Sequence, residues 1–372
     1  MCVAIRFSQT GICYKIRRVK TSWTKKKSCE LLHFNPNTGE KLTKWRDLTT
    51  YYEEHYQIAI GWSLKPGKQI FLGDKKNRKC RFCGKAKPYV GFSNDAHCLP
   101  ESIGNKSLFS YYECDVCNQA FGVGCENDFG NWSLPMRTMS RICGKNGIPT
   151  IKQGPNGVWR IDAHEKGLRL NIDQEEGFYE ENEANRTLRF YLRRAPYRPV
   201  MVVQAMVKMA LSIMPEEEMP NFQAALDWIR PGNTHTTMAA PTPFIYTFIG
   251  GPVASDLITV AVLTRRHDDL VTPYSFLLLM YGHEMLQMVI PSIEKDKHHY
   301  GKQMIFRRFP CFRDIGGSAP DNIKSMQMKF HTTEFVRDDS FILDIQYEQK
   351  LHHRPDDIEM VHRASSAFPG VF

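Results

Sequence analysis

Apolar and polar positions alternate at different periods along the chain, and the periods predict its elements. Val200, Val203, Met206, Val207, Ala210, Leu211 and Met214 recur every three to four residues, which predicts a helix with one apolar face. Pro199 suits its first turn and Pro215 ends it. A second helix is expected over 221–229, between Pro220 and Pro231. Upstream, Trp159, Ile161, Leu168, Leu170, Leu188, Phe190 and Leu192 fall in near alternation, so 150–195 reads as strands. Further strands are expected over 244–248, 257–263, 275–280, 285–290 and 341–345, with a short helix over 51–58 and a strand over 69–72. From 80 to 147 the periodicity fades while Gly and Cys become dense. A segment with so small a core of its own needs a staple.

Charge changes this picture at one end. The net charge is +9 over 372 residues, yet the first ninety hold about twenty Lys and Arg against about six Asp and Glu, leaving the rest mildly acidic. A basic lobe on a near-neutral body suits a polyanion such as nucleic acid. Lys25, Lys26 and Lys27, interleaved with Trp23 and Trp45, are its candidate contacts, and the alternative is a solvated, flexible extension. Arg137 and Lys145 are weaker candidates for phosphate.

Eleven cysteines, two pairs of them in C-x-x-C spacing, do not make a secreted disulfide framework, so a reducing cytoplasm is expected. Residues 1–11 lack the apolar core of a leader, and the apolar stretch 274–290 is interrupted by Gly282, His283 and Glu284, so no membrane span is expected.

The two pairs, Cys80-Arg-Phe-Cys83 and Cys114-Asp-Val-Cys117, lie about thirty residues apart. Two such knuckles can wrap one tetrahedral zinc ion through four thiolates, converting metal binding into folding energy. Redox chemistry is the alternative, without the βαβ pattern that usually accompanies it.

Between the knuckles runs Ala96-His97-Cys98-Leu99-Pro100-Glu101-Ser102-Ile103-Gly104. The second is followed directly by Asn118, then by Phe121-Gly122 and Glu126. This arrangement resembles the HNH endonucleases, over about sixty residues. The resemblance implies a β-hairpin and helix around one divalent metal, magnesium or manganese, with His97 as the general base that activates water. It also implies a ligand or water-orienting role for Asn118. One position departs from the pattern: Ala96 stands where many such enzymes carry a ligand. Asp95 or Glu126 is then expected to supply the carboxylate, with Glu101 a weaker choice. Asn105 is the nearest counterpart of the family's loop-bracing Asn.

The fold class expected is α+β: a small zinc-stapled ββα-metal unit and a larger α+β C-terminal domain. The organisation expected is a basic extension over 1–70, a nuclease unit over 71–150 and a targeting or sensing domain over 151–372. The implied function is metal-dependent hydrolysis of DNA phosphodiesters. By analogy with the family's layouts, the setting is bacterial or phage defence, gated by the C-terminal domain or by a guide or sensor protein. A zinc-stapled nucleic-acid-binding or adaptor module without catalysis is the competing class.

Overall fold

The computed structural model describes residues 4–7, 12–21, 45–153, 159–164, 167–171, 179–231, 242–251, 253–268, 271–299, 304–311 and 323–352. The chain begins with β1 (Ala4–Phe7), β2 (Ile12–Thr21), α1 (Trp45–His55), β3 (Tyr56–Leu64) and β4 (Ile70–Leu72). The cysteine-rich segment supplies β5 (Ala96–His97), β6 (Leu108–Ser110), α2 (Asp115–Val123) and α3 (Cys125–Met139). Then come β7 (Ile151–Gln153), β8 (Trp159–His164), β9 (Gly167–Asn171), β10 (Tyr179–Asn182), β11 (Thr187–Arg193), α4 (Pro199–Ile213) and α5 (Gln223–Ile229). The last part holds β12 (Phe244–Ile249), β13 (Ile258–Arg265), β14 (Ser275–Tyr281), β15 (Glu284–Val289), α6 (Ile293–Asp296), β16 (Ile323–Met328) and β17 (Ser340–His352). The mixed α and β content, with a small cysteine-rich unit and a larger additional region, is the expected class.

Three sheets organise these strands: β10-β11-β17-β2-β1-β9-β8-β7, β16-β12-β15-β14-β13-β3, and β4-β6-β5. Two findings differ from the sequence reading. Residues 51–58 were expected to be helical, but α1 ends at His55 and Tyr56 opens β3. Ile58, Ile60, Trp62 and Leu64 have the two-residue period of a strand, and β3 pairs antiparallel with β13. Nor are residues 1–70 a detached extension throughout. β2 pairs with β17 and β3 with β13, so this segment adds strands to sheets built mainly from the C-terminal region. Lys25, Lys26 and Lys27 lie outside the described residues.

Helix α4 joins the cysteine-rich unit to the rest. It is apolar almost all round, as a helix buried on every side must be. It packs on α3 on one side and touches β14 on the other. Asp128 of α3 accepts hydrogen bonds from the Arg198 backbone N–H and, at 2.7 Å, from its guanidinium, which fixes the start of α4. Arg81, between the first two cysteines, donates to the Leu211 and Met214 carbonyls and satisfies the acceptors that the end of α4 leaves open. Trp132 of α3 packs edge-on against Phe244, Tyr246 and Phe330. The turn between β14 and β15 contains Gly282 at φ 51, where a Cβ would lie 2.5 Å from that of Ser140 just past α3, so only glycine lets the hairpin approach. One core therefore runs from the knuckles through α4 into the six-stranded sheet.

Candidate functional site

The first knuckle is a tight turn. Gly84, at φ 71, donates to the Cys80 carbonyl, and the Cys80 N–H donates to Lys85 O. The second opens a helix, with Cys114 at the N-cap of α2. The four sulfurs of Cys80, Cys83, Cys114 and Cys117 all lie within 4.8 Å of one another. Cys83 Sγ and Cys114 Sγ are 3.8 Å apart. A tetrahedron with metal–sulfur bonds of about 2.3 Å has edges of about 3.8 Å, so the four residues fit zinc. Crowding pulls their acidities apart: Cys80 is pushed down to about 5, chiefly by the hydrogen bond from Cys117, which is itself pushed up by that same bond, while burial pushes Cys114 up to about 11. Four thiolates this close need a cation.

Two side chains fold the intervening residues around this staple. Asp115, in the first turn of α2, accepts from the Ser93 and Asn94 backbone N–H groups and from Asn94 Nδ2, all within 3.0 Å, and so ties the approach to β5 onto α2. Asn105 is 1% exposed. Its amide donates to Leu99 O and Leu108 O, and its oxygen accepts from the Ser107 and Leu108 N–H groups. It therefore closes the loop between β5 and β6, as a loop-bracing Asn would.

His97 ends β5 opposite Phe109, with ring centroids 4.5 Å apart. Its Nε2 lies 3.9 Å from Glu101 Oε2, and both side chains are partly open to solvent. Its Nδ1 is buried and makes no hydrogen bond of ordinary geometry, although the Asn105 backbone is close enough to favour a protonated ring. Burial is the larger influence and holds the imidazole below its usual value, against the pull of Glu101.

A cleft of about 340 Å³ opens beside Glu101; His97 itself is not among its lining residues. Glu101, Ser102, Glu126, Asn127, Asn131 and Arg137 are among its lining residues. Glu126 is not free in it: its Oε1 lies 2.9 Å from Lys208 Nζ, which is also 3.1 Å from Glu113 Oε2 and 3.0 Å from the His97 carbonyl. Asp95 is exposed and Ala96 buried at 1%. Asn118 is half-buried in the first turn of α2, and among the described residues no hydrogen bond or ion pair joins its side chain to His97, Glu101 or Glu126. The four cysteines are the one group of three or more metal-ligating side chains that converges among the described residues. Of the donors expected for magnesium or manganese, Asp95, Asn118 and Glu126, Glu126 is held by Lys208, and among the described residues no hydrogen bond or ion pair joins the three to one another.

What the zinc-type staple encloses, a short hairpin ending in a histidine and then a helix, is the pattern that the family comparison detects. Residues 80–133 match the HNH endonuclease family. The match spans both knuckles, His97, Asn118, Glu126 and the first part of α3. Comparison with curated proteins and with solved structures finds no match. No helix of the described residues is long and apolar enough to cross a membrane.

Two residues, Glu113 within the matched segment and Lys208 outside it, escape sequence reading, and the weight of a third, Glu101, does too. Glu113, fully buried beside the second knuckle, passes for a surface charge. Glu101 gains weight only once the 3.9 Å approach to His97 is visible. Lys208 lies far along the chain, but a signal existed: a lone ammonium in a helix apolar all round must be buried, and a buried charge must be paired. Among the basic residues expected to meet phosphate, Arg137 is buried and donates to Ser133 Oγ, Ser102 O and Gly130 O, so its guanidinium is committed to the protein. Lys145 is exposed. Lys75, Lys76, Lys79, Lys85 and Lys87 are also exposed around the first knuckle, together with Tyr89 at 84%.

Proposed function

We propose that the HNH unit hydrolyses phosphodiester bonds in DNA, with His97 as general base. The observation that carries this reading is the placement of His97. Its ring is fixed by the hairpin, burial holds its pKa below the usual value, and its Nε2 lies 3.9 Å from Glu101, which lines the neighbouring cleft. A water at Nε2 would lose its proton to the imidazole as its oxygen attacks phosphorus. The P–O bond opposite breaks, and the departing oxygen takes a proton from solvent. Glu101 favours the imidazolium formed in that step. Phosphate entering between Glu101 and Glu126 meets like charge, which the Lys208 ammonium partly offsets. Magnesium or manganese is the ion the family resemblance implies. Asp95, Asn118 and Glu126 are the residues that would hold such an ion, and every step here is assigned to side chains alone. Asn118 also orients water or substrate in this proposal. The exposed lysines around the first knuckle suit the DNA backbone. As part of the same proposal, residues 151–372 and a guide or sensor protein select the target in a defence setting.

A second reading has its own observations. Ala96 lacks a ligating side chain, and Glu126 is neutralised by Lys208, as expected of a unit that binds nucleic acid without cutting it. A plasmid-nicking assay with magnesium and with manganese separates the two. Nicking by the wild-type protein, abolished in His97→Ala with zinc content unchanged, is the expected result. Retained DNA binding with no nicking under either ion selects the second reading. Full activity of His97→Ala removes the histidine from the mechanism.

A further inference from the structure

Lys208 is 1% exposed, so its ammonium depends on protein acceptors for all three of its hydrogens. The structure places three around it: Glu113 and Glu126 carboxylate oxygens as ion-pair partners at 3.1 and 2.9 Å, neither in ordinary hydrogen-bond geometry, and the His97 backbone carbonyl as a hydrogen-bond acceptor at 3.0 Å. They come from three places, the residue before Cys114, the first turn of α3 and the end of β5. The lysine stem comes from a fourth, α4. Two carboxylates and a carbonyl directed at one point are the donor set of a hard cation. Glu113 is wholly inaccessible, so neither water nor bulk salt screens it and burial pushes it up to about 7, while Glu126, 18% exposed, is screened only in part.

We propose that this is a cation site filled by the chain itself, in which the Lys208 ammonium takes the position from which Glu113 and Glu126 would otherwise bind a divalent ion. The HNH unit is thereby completed in cis by a helix outside the matched segment. Lys208 is a positioning residue: it holds the His97 backbone against α3 without facing the cleft. This goes beyond the proposed hydrolysis and does not require it, since a non-cutting unit would need the same cation.

The test reads ion binding rather than cleavage. Full-length, zinc-loaded protein is titrated with Mn2+, and free Mn2+ is followed by electron paramagnetic resonance, with a thermal melt in parallel. Wild type and Glu126→Gln should bind Mn2+ alike, within about twofold, because the glutamate is already neutralised. Lys208→Met keeps the stem and removes the charge. It should gain a site at least about tenfold tighter than any weak binding by wild type, and Mn2+ should raise its melting temperature. Lys208→Met/Glu126→Gln should lose that gain. A Lys208→Met protein that is soluble only when Mn2+ is supplied supports the proposal too. Two results overturn it: a folded Lys208→Met that gains no Mn2+ site, or a tenfold weakening of Mn2+ binding on Glu126→Gln in otherwise wild-type protein. The second comparison decides the matter even where Lys208→Met cannot be obtained folded. Loss or retention of nicking in these variants bears on the proposed function alone.

Discussion

At the knuckles four sulfurs face one another, whereas at the base of α3 two carboxylates of the matched segment face a lysine from outside it. Both clusters gather negative charge where water is scarce; the first ties a turn to α2, and the second ties β5 and α3 to α4. They differ in where the neutralising charge comes from. The thiol cluster joins two short local motifs and has the dimensions of a zinc shell, so its cation must come from solution. The carboxylate cluster draws its cation from α4, so it is satisfied only when the C-terminal region has docked. One staple closes a segment on itself, and the other closes that segment onto the rest of the chain.

The largest effect expected from breaking this comparison is at the sulfurs. Cys114→Ser, or exhaustive chelation, removes a structural zinc whose binding contributes on the order of 10 kcal/mol to folding in small zinc units. Because the core is continuous from the knuckles through α4, the loss should spread beyond residues 80–133. Metal analysis together with hydrogen exchange would check this, and an unchanged exchange pattern in α4 would show that the two staples act independently.

A third buried charge sets an intermediate scale. Glu284, at the start of β15, is buried facing the Tyr281 and Tyr246 hydroxyls and the guanidinium groups of Arg194 and Arg137, and burial pushes it up to about 7. Its folded value exceeds the 4.5 of an ordinary glutamate, so the folded state holds the proton more tightly. The stability this contributes is complete below about 4.5 and is lost as pH rises through about 7. The expected loss is about 2–3 kcal/mol between those limits. Denaturant melts across that range should show the decline in wild type and a flatter profile in Glu284→Gln. Zinc thiolates behave in the opposite sense, losing metal as acid protonates them.

The smallest structural effect belongs to the rim of the first knuckle. Lys85→Glu/Lys87→Glu lies on exposed positions and should change stability by less than about 0.5 kcal/mol. If both lysines meet DNA phosphates, the slope of log affinity against log salt should become shallower by about 2. Fluorescence anisotropy on a duplex would measure it, and an unaltered slope would place the DNA elsewhere.

Most helices and strands were legible because their patterns are local. The apolar repeat from Val200 to Met214 appears as α4, and the strands expected over 244–248, 275–280 and 285–290 appear within a residue or two as β12, β14 and β15. The knuckles were legible because ligand spacing is itself a local pattern. What stayed hidden depended on distant partners. Basic residues in β2 masked the alternation of Ile12, Tyr14 and Ile16, whose pairing with β17 is fixed hundreds of residues later. The ion pair of Glu126 stayed hidden for the same reason. Glu126 has the spacing of a metal ligand on paper, but its partner in space is Lys208, which no motif connects to it.

The pairing of β2 with β17 also constrains the order of events during synthesis. β2 ends at Thr21 and its neighbour begins at Ser340, so about 320 residues separate their emergence from the ribosome. At roughly 5–20 residues per second, that is a wait of about 15–60 s. Throughout it, β2 lacks one of its two sheet neighbours, and an unpaired strand edge can recruit another nascent chain. Lys15, Arg17, Arg18 and Lys20 fall within this strand in the sequence. Like charge along an unpaired edge disfavours its pairing with a second copy, so a strand of this composition is suited to such a wait.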